Sequence, residues 1–152
     1  MSQGIAISRA APDDPGVRAL RKASIALMDR LFAPESNHYL SEDQQRDKGV
    51  VMFVARDGDT ALGCCGLMPA GDYGEIKSLF TDDAARGRGV GNALLLAVED
   101  EARRQGLARL CLETGTLLHA ARRLYQRHGY VECPPFGGYQ PDPHSVFMEK
   151  TL

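Results

Sequence analysis

A glycine-rich segment in the middle of the chain has the composition of an anion-binding loop. Residues 86–91 read RGRGVG, and Asn92 and an apolar, helix-like stretch follow. Glycine lets a ligand approach the backbone closely, and the first turn of a helix exposes amide groups that carry a partial positive charge. Arg86 and Arg88 add two cationic side chains. We therefore expect residues 86–92 to bind an anion, with phosphate as the best fit.

Two familiar phosphate loops do not fit this segment. A Walker A loop requires Lys and then Ser or Thr after its last glycine, whereas Asn92 and Ala93 follow Gly91. A dinucleotide-binding G-x-G-x-x-G loop that begins at Gly87 would need glycine at position 92, which is asparagine. ATP and dinucleotides are therefore disfavoured as ligands. The alternative without any ligand is a surface loop whose glycines serve only a tight turn before a helix.

The elements around this loop alternate between strand-like and helix-like patterns. Before it, strand-like runs at 50–56 and 60–69 flank an Asp57-Gly58 hairpin signal, and a third run covers 74–80. After it, an apolar stripe predicts a helix over 90–105, with the exposed ion pairs Glu99–Arg103 and Asp100–Arg104 on its other side. The other predicted elements are a strand at 4–9, a helix from Pro15 to Phe32, a short helix from Ser41, a strand at 107–114, a helix at 118–129 and strands at 130–133 and 145–152. This order predicts an α/β domain with a mixed sheet.

Length, charge and cysteine usage limit the classes of function. The chain has 152 residues, which fits a single domain over 1–152, and its net charge of −2 gives no long-range attraction to nucleic acid or to an anionic membrane. No apolar run reaches the length of a membrane span, and the N-terminal stretch lacks the regions of a signal peptide. The four cysteines form no C-x-x-C pair, so we expect reduced thiols, no metal site and a cytoplasmic protein.

Four stretches of the chain together resemble the GNAT superfamily of acyl-CoA N-acyltransferases. The segment Arg86-x-x-Gly89-x-Gly91 is similar to that family's Q/R-x-x-G-x-G/A motif, and LYQRHGY at 124–130 is a shortened form of its L-Y-x-x-x-G-F/Y. LETG at 112–115 and PPFGGYQPDPHSVFMEK at 134–150 resemble a subset of small bacterial members. The resemblance implies a mixed, mostly antiparallel central sheet flanked by helices and splayed between the fourth and fifth strands. It also implies an N-acetyltransferase that uses acetyl-CoA as co-substrate.

The resemblance assigns the donor site to a continuous part of the chain. The amides of Arg86, Gly87, Arg88, Gly89, Val90, Gly91 and Asn92 would cradle the CoA pyrophosphate. The strand that holds Leu79, Phe80 and Thr81 would pair with the pantetheine arm, and the Leu79 amide would face the acetyl carbonyl. One family feature is missing, because many members have asparagine at the place of Leu118 and use it to bond the pantetheine.

N-acetylation needs a proton acceptor for the amine, oriented backbone N–H groups for the oxyanion and a proton donor for the leaving thiolate. Tyr125 matches the family tyrosine whose hydroxyl lies near the CoA sulfur, so it is the candidate proton donor. The alternative is that Tyr125 is an aromatic side chain that only packs in the core. Glu75 is the candidate base, since its spacing to Arg86 resembles that of histone-acetylating members. Glu113, at the end of the next strand, is its rival. Either carboxylate could instead bind the substrate ammonium group. His119 and His128 are not expected to be catalytic.

The acceptor is the open question at this stage. The family resemblance implies an amine of a small molecule, an amino acid or a protein, attacked directly in a ternary complex, with residues 33–49 and the PPFGGYQPDP loop on the acceptor side. A non-catalytic acyl-CoA sensor and a transferase for another acyl-CoA are the alternatives. Because family members are often homodimers, the closing strand 145–151, if unpaired, is a candidate dimer interface.

Overall fold

The computed structural model describes residues 4–152, so the first three residues of the predicted domain lie outside the described part. One seven-stranded sheet has the order β1-β2-β3-β4-β5-β7-β6. Its strands are β1 (Ala6–Ala10), β2 (Val51–Asp57), β3 (Thr60–Ala70), β4 (Tyr73–Thr81), β5 (Arg109–Gly115), β6 (Val131–Glu132) and β7 (Ser145–Thr151). The helices are α1 (Pro15–Leu31), α2 (Glu42–Asp47), α3 (Val90–Arg104) and α4 (His119–Arg127). Neighbouring strands are antiparallel except β4 and β5, which confirms the predicted mixed, mostly antiparallel sheet.

The helix starts follow the capping signals of the sequence. Asp14 caps α1, accepting hydrogen bonds from the amides of Gly16 and Val17 at 2.9 and 3.2 Å. Ser41 and Gln44 form a reciprocal capping box at the start of α2. The α3 helix differs, because it begins after Gly89 without any side-chain cap. The amides of its first turn therefore have no competing side-chain acceptor.

Apolar side chains pack against both faces of the sheet. The larger cluster lies under α3 and α4 and includes Leu94, Leu95 and Val98, which are fully buried as the helical stripe predicts. The smaller cluster joins Val17 and Leu20 of α1 to the opposite face of β2 and β3. The sheet is thus covered on both faces, by α1 on one and by α3 and α4 on the other. Its strand ends lie between these two layers, where a site can form.

Two expectations about exposure are wrong. The closing strand β7 is not unpaired, because it lies inside the sheet between β5 and the two-residue strand β6. The predicted Glu99–Arg103 pair is present at 3.9 Å, but Glu99 is only 2% exposed and also accepts hydrogen bonds from the Tyr130 hydroxyl at 2.9 Å and Lys150 Nζ at 3.0 Å. Arg104 pairs with Glu101 at 2.5 Å instead of with Asp100.

Candidate active site

A cleft opens where the parallel strands β4 and β5 part. Their pairing runs from Tyr73 opposite Arg109 to Ile76 opposite Leu112, and the remainder of β4 leaves β5. This confirms the expected splay between the fourth and fifth strands. The cavity at this point is lined by one side of α1, residues 36–39, residues 75–79 of β4, the end of β5, α4, Tyr139 and His144. It therefore collects side chains from nearly every layer of the fold.

A bulge shapes the wall that β4 contributes to this cavity. The register steps from Cys64 opposite Phe80 to Gly66 opposite Lys77, so Ser78 and Leu79 together face one residue of β3. Ser78 has a φ of +58°, a left-handed conformation that costs energy for a residue other than glycine. The bulge inverts the alternation of side chains, so Leu79 packs on the α3 face and Phe80 on the α1 face.

Glu75 lies in a buried cluster of polar groups on β4. Its carboxylate is 5% exposed, and its Oε2 accepts hydrogen bonds from Lys77 Nζ at 3.1 Å and from the Tyr139 hydroxyl at 2.5 Å. Lys77 also donates to the Tyr139 hydroxyl at 3.2 Å. Burial and the neighbouring Glu75 charge raise the pKa of Tyr139, so this phenol stays protonated. The Glu75 side chain is therefore fixed by an ion pair with Lys77 and a hydrogen bond from Tyr139.

Glu113 lies across the cleft from Glu75, at the end of β5, and its surroundings differ from those of Glu75. Burial raises the pKa of its carboxyl from 4.5 to about 7, against the lowering effects of the Ser145 hydrogen bond and the Lys77 charge. The Ser145 hydroxyl donates to Glu113 Oε2 at 2.7 Å. A carboxylate with this pKa can take up a proton near neutral pH and release it again, which is what a general base requires.

Tyr125 enters the same cavity from α4. Its side chain is 5% exposed, and burial, followed by nearby Cys65 and Glu113, raises its pKa well above 10. No side chain in residues 4–152 hydrogen bonds its hydroxyl. Since every fully enclosed side-chain oxygen and nitrogen of that range has a partner, this hydroxyl is open to the cavity. It is a protonated hydrogen-bond donor that faces the cleft.

The glycine-rich loop adopts the open shape expected of an anion cradle. Gly87 and Gly89 have φ of +80° and +77°, and a Cβ at either position would meet nothing within 4 Å. The arginine side chains do not add free charge, however, because Arg86 binds Asp83 at 3.0 Å and Arg88 binds Asp57 at 2.8 Å. Any anion here would rest on the amides of the loop and of the first turn of α3.

The structure brings some of the predicted residues together and separates others. Glu75, Glu113, Tyr125 and Leu79 line one cavity, whereas Phe80, Thr81 and residues 86–92 lie outside it. His119 and His128 do not line it either, and His128 instead contacts the Asn92 side chain at 2.6 Å. Within residues 4–152 no group of three or more His, Cys, Asp or Glu side chains is placed to hold a metal ion. No helix in that range is both long and apolar enough to cross a membrane.

Arg21 lines the cavity and Ser145 bonds Glu113, and neither was predicted as part of a site. Ser145 gives no signal in the sequence, because its contact with Glu113 depends on the pairing of β5 with β7. Arg21 does give one, since it lies four residues after Val17 on the inward side of α1, where an apolar residue is expected.

Comparison with known proteins decides the family. The model of the acetyltransferase (GNAT) family matches residues 19–130. The chain belongs to the GNAT acetyltransferase family. Among curated relatives, this GNAT protein is 38% identical over 150 residues to an "IAA acetyltransferase" of Azospirillum brasilense. The aligned residues cover 97% of this chain and 98% of that relative. An N-acetyltransferase named YsnE of Bacillus subtilis is 38% identical over 128 residues, or 82% of this chain and 85% of the relative.

Solved structures agree with this assignment. An acyl-CoA N-acyltransferase from Klebsiella pneumoniae superposes with a TM-score of 0.82 at 35% identity, over 97% of each chain. The PaiA N-acetyltransferase of Thermoplasma acidophilum, solved in complex with coenzyme A, has a TM-score of 0.76 at 15% identity, over 99% of this chain and 100% of that one. At that identity the likeness shows the shared fold alone.

Proposed function

We propose that this GNAT protein transfers the acetyl group of acetyl-CoA to an amine by direct attack in a ternary complex. The proposal depends on one observation: a carboxyl group that can accept a proton and a phenol that can donate one line the same cavity. Glu113, with a pKa of about 7, and the Tyr125 hydroxyl both line the cleft beside the bulge of β4. N-acetylation needs one group to accept a proton from the amine and another to donate one to the sulfur.

Glu113 suits the role of base better than Glu75. The Oε2 atom of Glu75 already accepts hydrogen bonds from Lys77 Nζ and from the Tyr139 hydroxyl, so this oxygen is occupied within the protein. Glu113 accepts a hydrogen bond from the Ser145 hydroxyl, and its pKa of about 7 leaves it half-titrated near neutral pH. Glu75 then keeps Lys77 and Tyr139 in place and contributes negative charge to the amine side of the cavity.

The donor would bind along the other side of the splay. The amides of residues 86–92 hold the CoA pyrophosphate, the strand from Leu79 to Thr81 runs beside the pantetheine arm, and the Leu79 amide points to the acetyl carbonyl. The register step at Ser78 and Leu79 supports this, because bulged residues leave the regular hydrogen-bond pattern between strands. Leu118 lines the cavity but cannot bond the arm as asparagine does.

The reaction follows from these positions. The amine nitrogen attacks the thioester carbon, and its proton passes to Glu113. The oxyanion is stabilised by backbone N–H groups at the bulge. As the C–S bond breaks, the Tyr125 hydroxyl donates its proton to the departing sulfur. The resulting phenolate then regains a proton from protonated Glu113 through the cavity, so the proton taken from the amine ends on CoA and both side chains are restored. The products are the N-acetyl amine and free CoA.

The cysteines support direct attack over an acetyl-enzyme intermediate. Burial raises the pKa of Cys64 to about 12 and that of Cys111 to about 11, and it raises that of Cys65 further. These thiols are neutral at pH 7, and the thiolate is the nucleophilic form. Neither they nor Cys133 line the cavity.

Isothermal titration tests the donor site. We expect acetyl-CoA to bind with micromolar affinity, and ATP and NAD to bind far more weakly, since the loop lacks the Walker A and dinucleotide residues. No heat of binding at millimolar acetyl-CoA would overturn the proposal. Tight binding without thiol release in the presence of any amine would favour the acyl-CoA sensor.

A further inference from the structure

One cationic side chain of the cavity has no carboxylate partner among residues 4–152. Arg21 is 8% exposed and lines the cavity from α1, one turn away from Ser24 and Ile25. Its Nη2 donates to the backbone oxygen of Leu40. The Gln45 amide oxygen lies 3.0 to 3.2 Å from all three guanidinium nitrogens and so sits over the face of the group, an orientation assigned because the reverse would bring donors together. Both of these neighbours are neutral.

In the described part of the chain, no negatively charged group lies at ion-pair distance from Arg21. The thiol of Cys64, its neighbour on β3, has a pKa that burial raises to about 12, so it is neutral. Glu42 is close enough to influence Arg21, but its carboxylate is held by Arg18 Nε at 2.5 Å and Nη2 at 2.8 Å. Burial accordingly lowers the pKa of Arg21, although a guanidinium stays charged at neutral pH.

The other lysine or arginine in the cavity wall is Lys77, and it is already bound to Glu75 at 3.1 Å. A buried charge without a counter-ion is costly, whereas a planar guanidinium binds a carboxylate through paired hydrogen bonds. The cavity therefore presents an acid–base carboxyl at Glu113 and an uncompensated cation at Arg21. A molecule that carries both an amine and a carboxylate complements the two.

We propose that Arg21 is a specificity residue that binds a carboxylate of the acceptor, so that the acceptors are amino acids rather than simple amines or protein amines. This rests on the proposed function. The carboxylate of the acceptor bonds the Arg21 guanidinium while its amine approaches Glu113. Binding replaces the missing counter-ion and orients the amine in the same step.

The test compares acceptors that differ only in that charge. The common α-amino acids, β-alanine and γ-aminobutyrate are each paired with their carboxamides, and CoA release gives kcat/KM for both members. For each pair, the kcat/KM of the carboxylate acceptor is divided by the kcat/KM of its carboxamide. Loss of a charge-assisted hydrogen bond predicts that this ratio is about 10- to 100-fold higher in wild type than in Arg21→Met. The amine of a carboxamide has a different pKa, but this effect cancels when the ratios of two enzymes are compared. Arg21→Lys keeps the positive charge but lacks the paired N–H groups of the guanidinium. Its ratio is therefore expected to lie between those of wild type and Arg21→Met.

Lys22→Met is the matched control, since it removes an exposed positive charge from the same turn of α1. It should keep the wild-type ratio. If Arg21→Met and wild type have the same ratio, the proposal is overturned. A merely structural Arg21 would lower the activity on both members of a pair alike and lower the melting temperature.

A second measurement needs no variant and so is independent of folding. Butyrate should inhibit wild type competitively against the amine, whereas butyramide should not. Equal inhibition by both, or none by either, contradicts a carboxylate site. The proposed function fails separately, since its failure would be the absence of acetyl-CoA binding and of thiol release with every amine. Transfer to amines without any carboxylate preference would overturn only the role of Arg21.

Discussion

Replacing Glu113 with glutamine should lower activity and raise stability at the same time. Glutamine has nearly the same shape and can still accept the Ser145 hydrogen bond through its amide oxygen. It can neither take the proton of the amine nor carry a buried charge. General base catalysis is worth roughly 100- to 10,000-fold, so we expect kcat to fall by that factor. The wild-type kcat should rise as pH increases through about 7, because Glu113 loses its proton there. The kcat of the variant should not show this rise.

The stability change follows from the pKa of Glu113 with a definite sign. Its folded-state pKa of about 7 lies above the ordinary value of 4.5, so the folded protein binds more protons than the unfolded chain between these values. The stabilising contribution is fully present below 4.5 and is lost as pH rises through about 7. The step between the two values corresponds to roughly 3 kcal/mol of unfolding free energy. Wild type should lose about that much relative to Glu113→Gln between pH 5 and pH 8.

Urea unfolding at several pH values measures this directly, with Glu132→Gln as the control. Glu132 has a side chain that is 66% exposed, so its substitution should leave the pH dependence of stability unchanged. The two curves for wild type and Glu113→Gln should diverge as pH rises. Parallel curves, or full activity in the variant, would refute the assignment of Glu113 as a buried base.

Two further substitutions test other parts of the site. Gly115→Ala should destabilise the fold by about 1 to 3 kcal/mol, because a Cβ at this position would lie 2.3 Å from the Phe32 ring. Gly138→Ala, whose Cβ would meet nothing within 4 Å, is its control in urea unfolding, and equal midpoints would contradict the packing argument. Tyr125→Phe should lower kcat by roughly 10- to 10,000-fold while acetyl-CoA affinity by calorimetry is unchanged. Unchanged turnover would remove Tyr125 from the mechanism.

Local signals in the sequence predicted most of the fold. The apolar stripe of α3, the cap at Ser41 and the Asp57-Gly58 turn each depend on residues near one another in the chain, and the structure has all three elements. The alternation of β4 was predictable only as far as Lys77. Beyond it the bulge turns Phe80 to the opposite face, and that change depends on the pairing with β3.

The candidate site was predictable in its residue types but not in its electrostatics. Tyr125, Glu75 and Glu113 could be named from motif spacing and strand ends. Glu75 is paired with Lys77 and bonded by Tyr139, whereas Glu113 has the Ser145 hydroxyl and a pKa raised by burial. This difference depends on residue 139 folding back over β4. Arg21 shows the same limit, because its lack of a carboxylate is a property of the packed cavity and not of α1 alone.

Intact-protein mass spectrometry combined with a thiol assay tests the central claim most directly. The protein is incubated with acetyl-CoA alone and then with the panel of amines, and both CoA release and the mass of the protein are followed. Direct transfer predicts that CoA is released only when an amine is present, that the amine gains the acetyl group, and that the protein mass does not change. An acetylated protein formed before any amine is added, or no CoA release with any amine, would contradict the account.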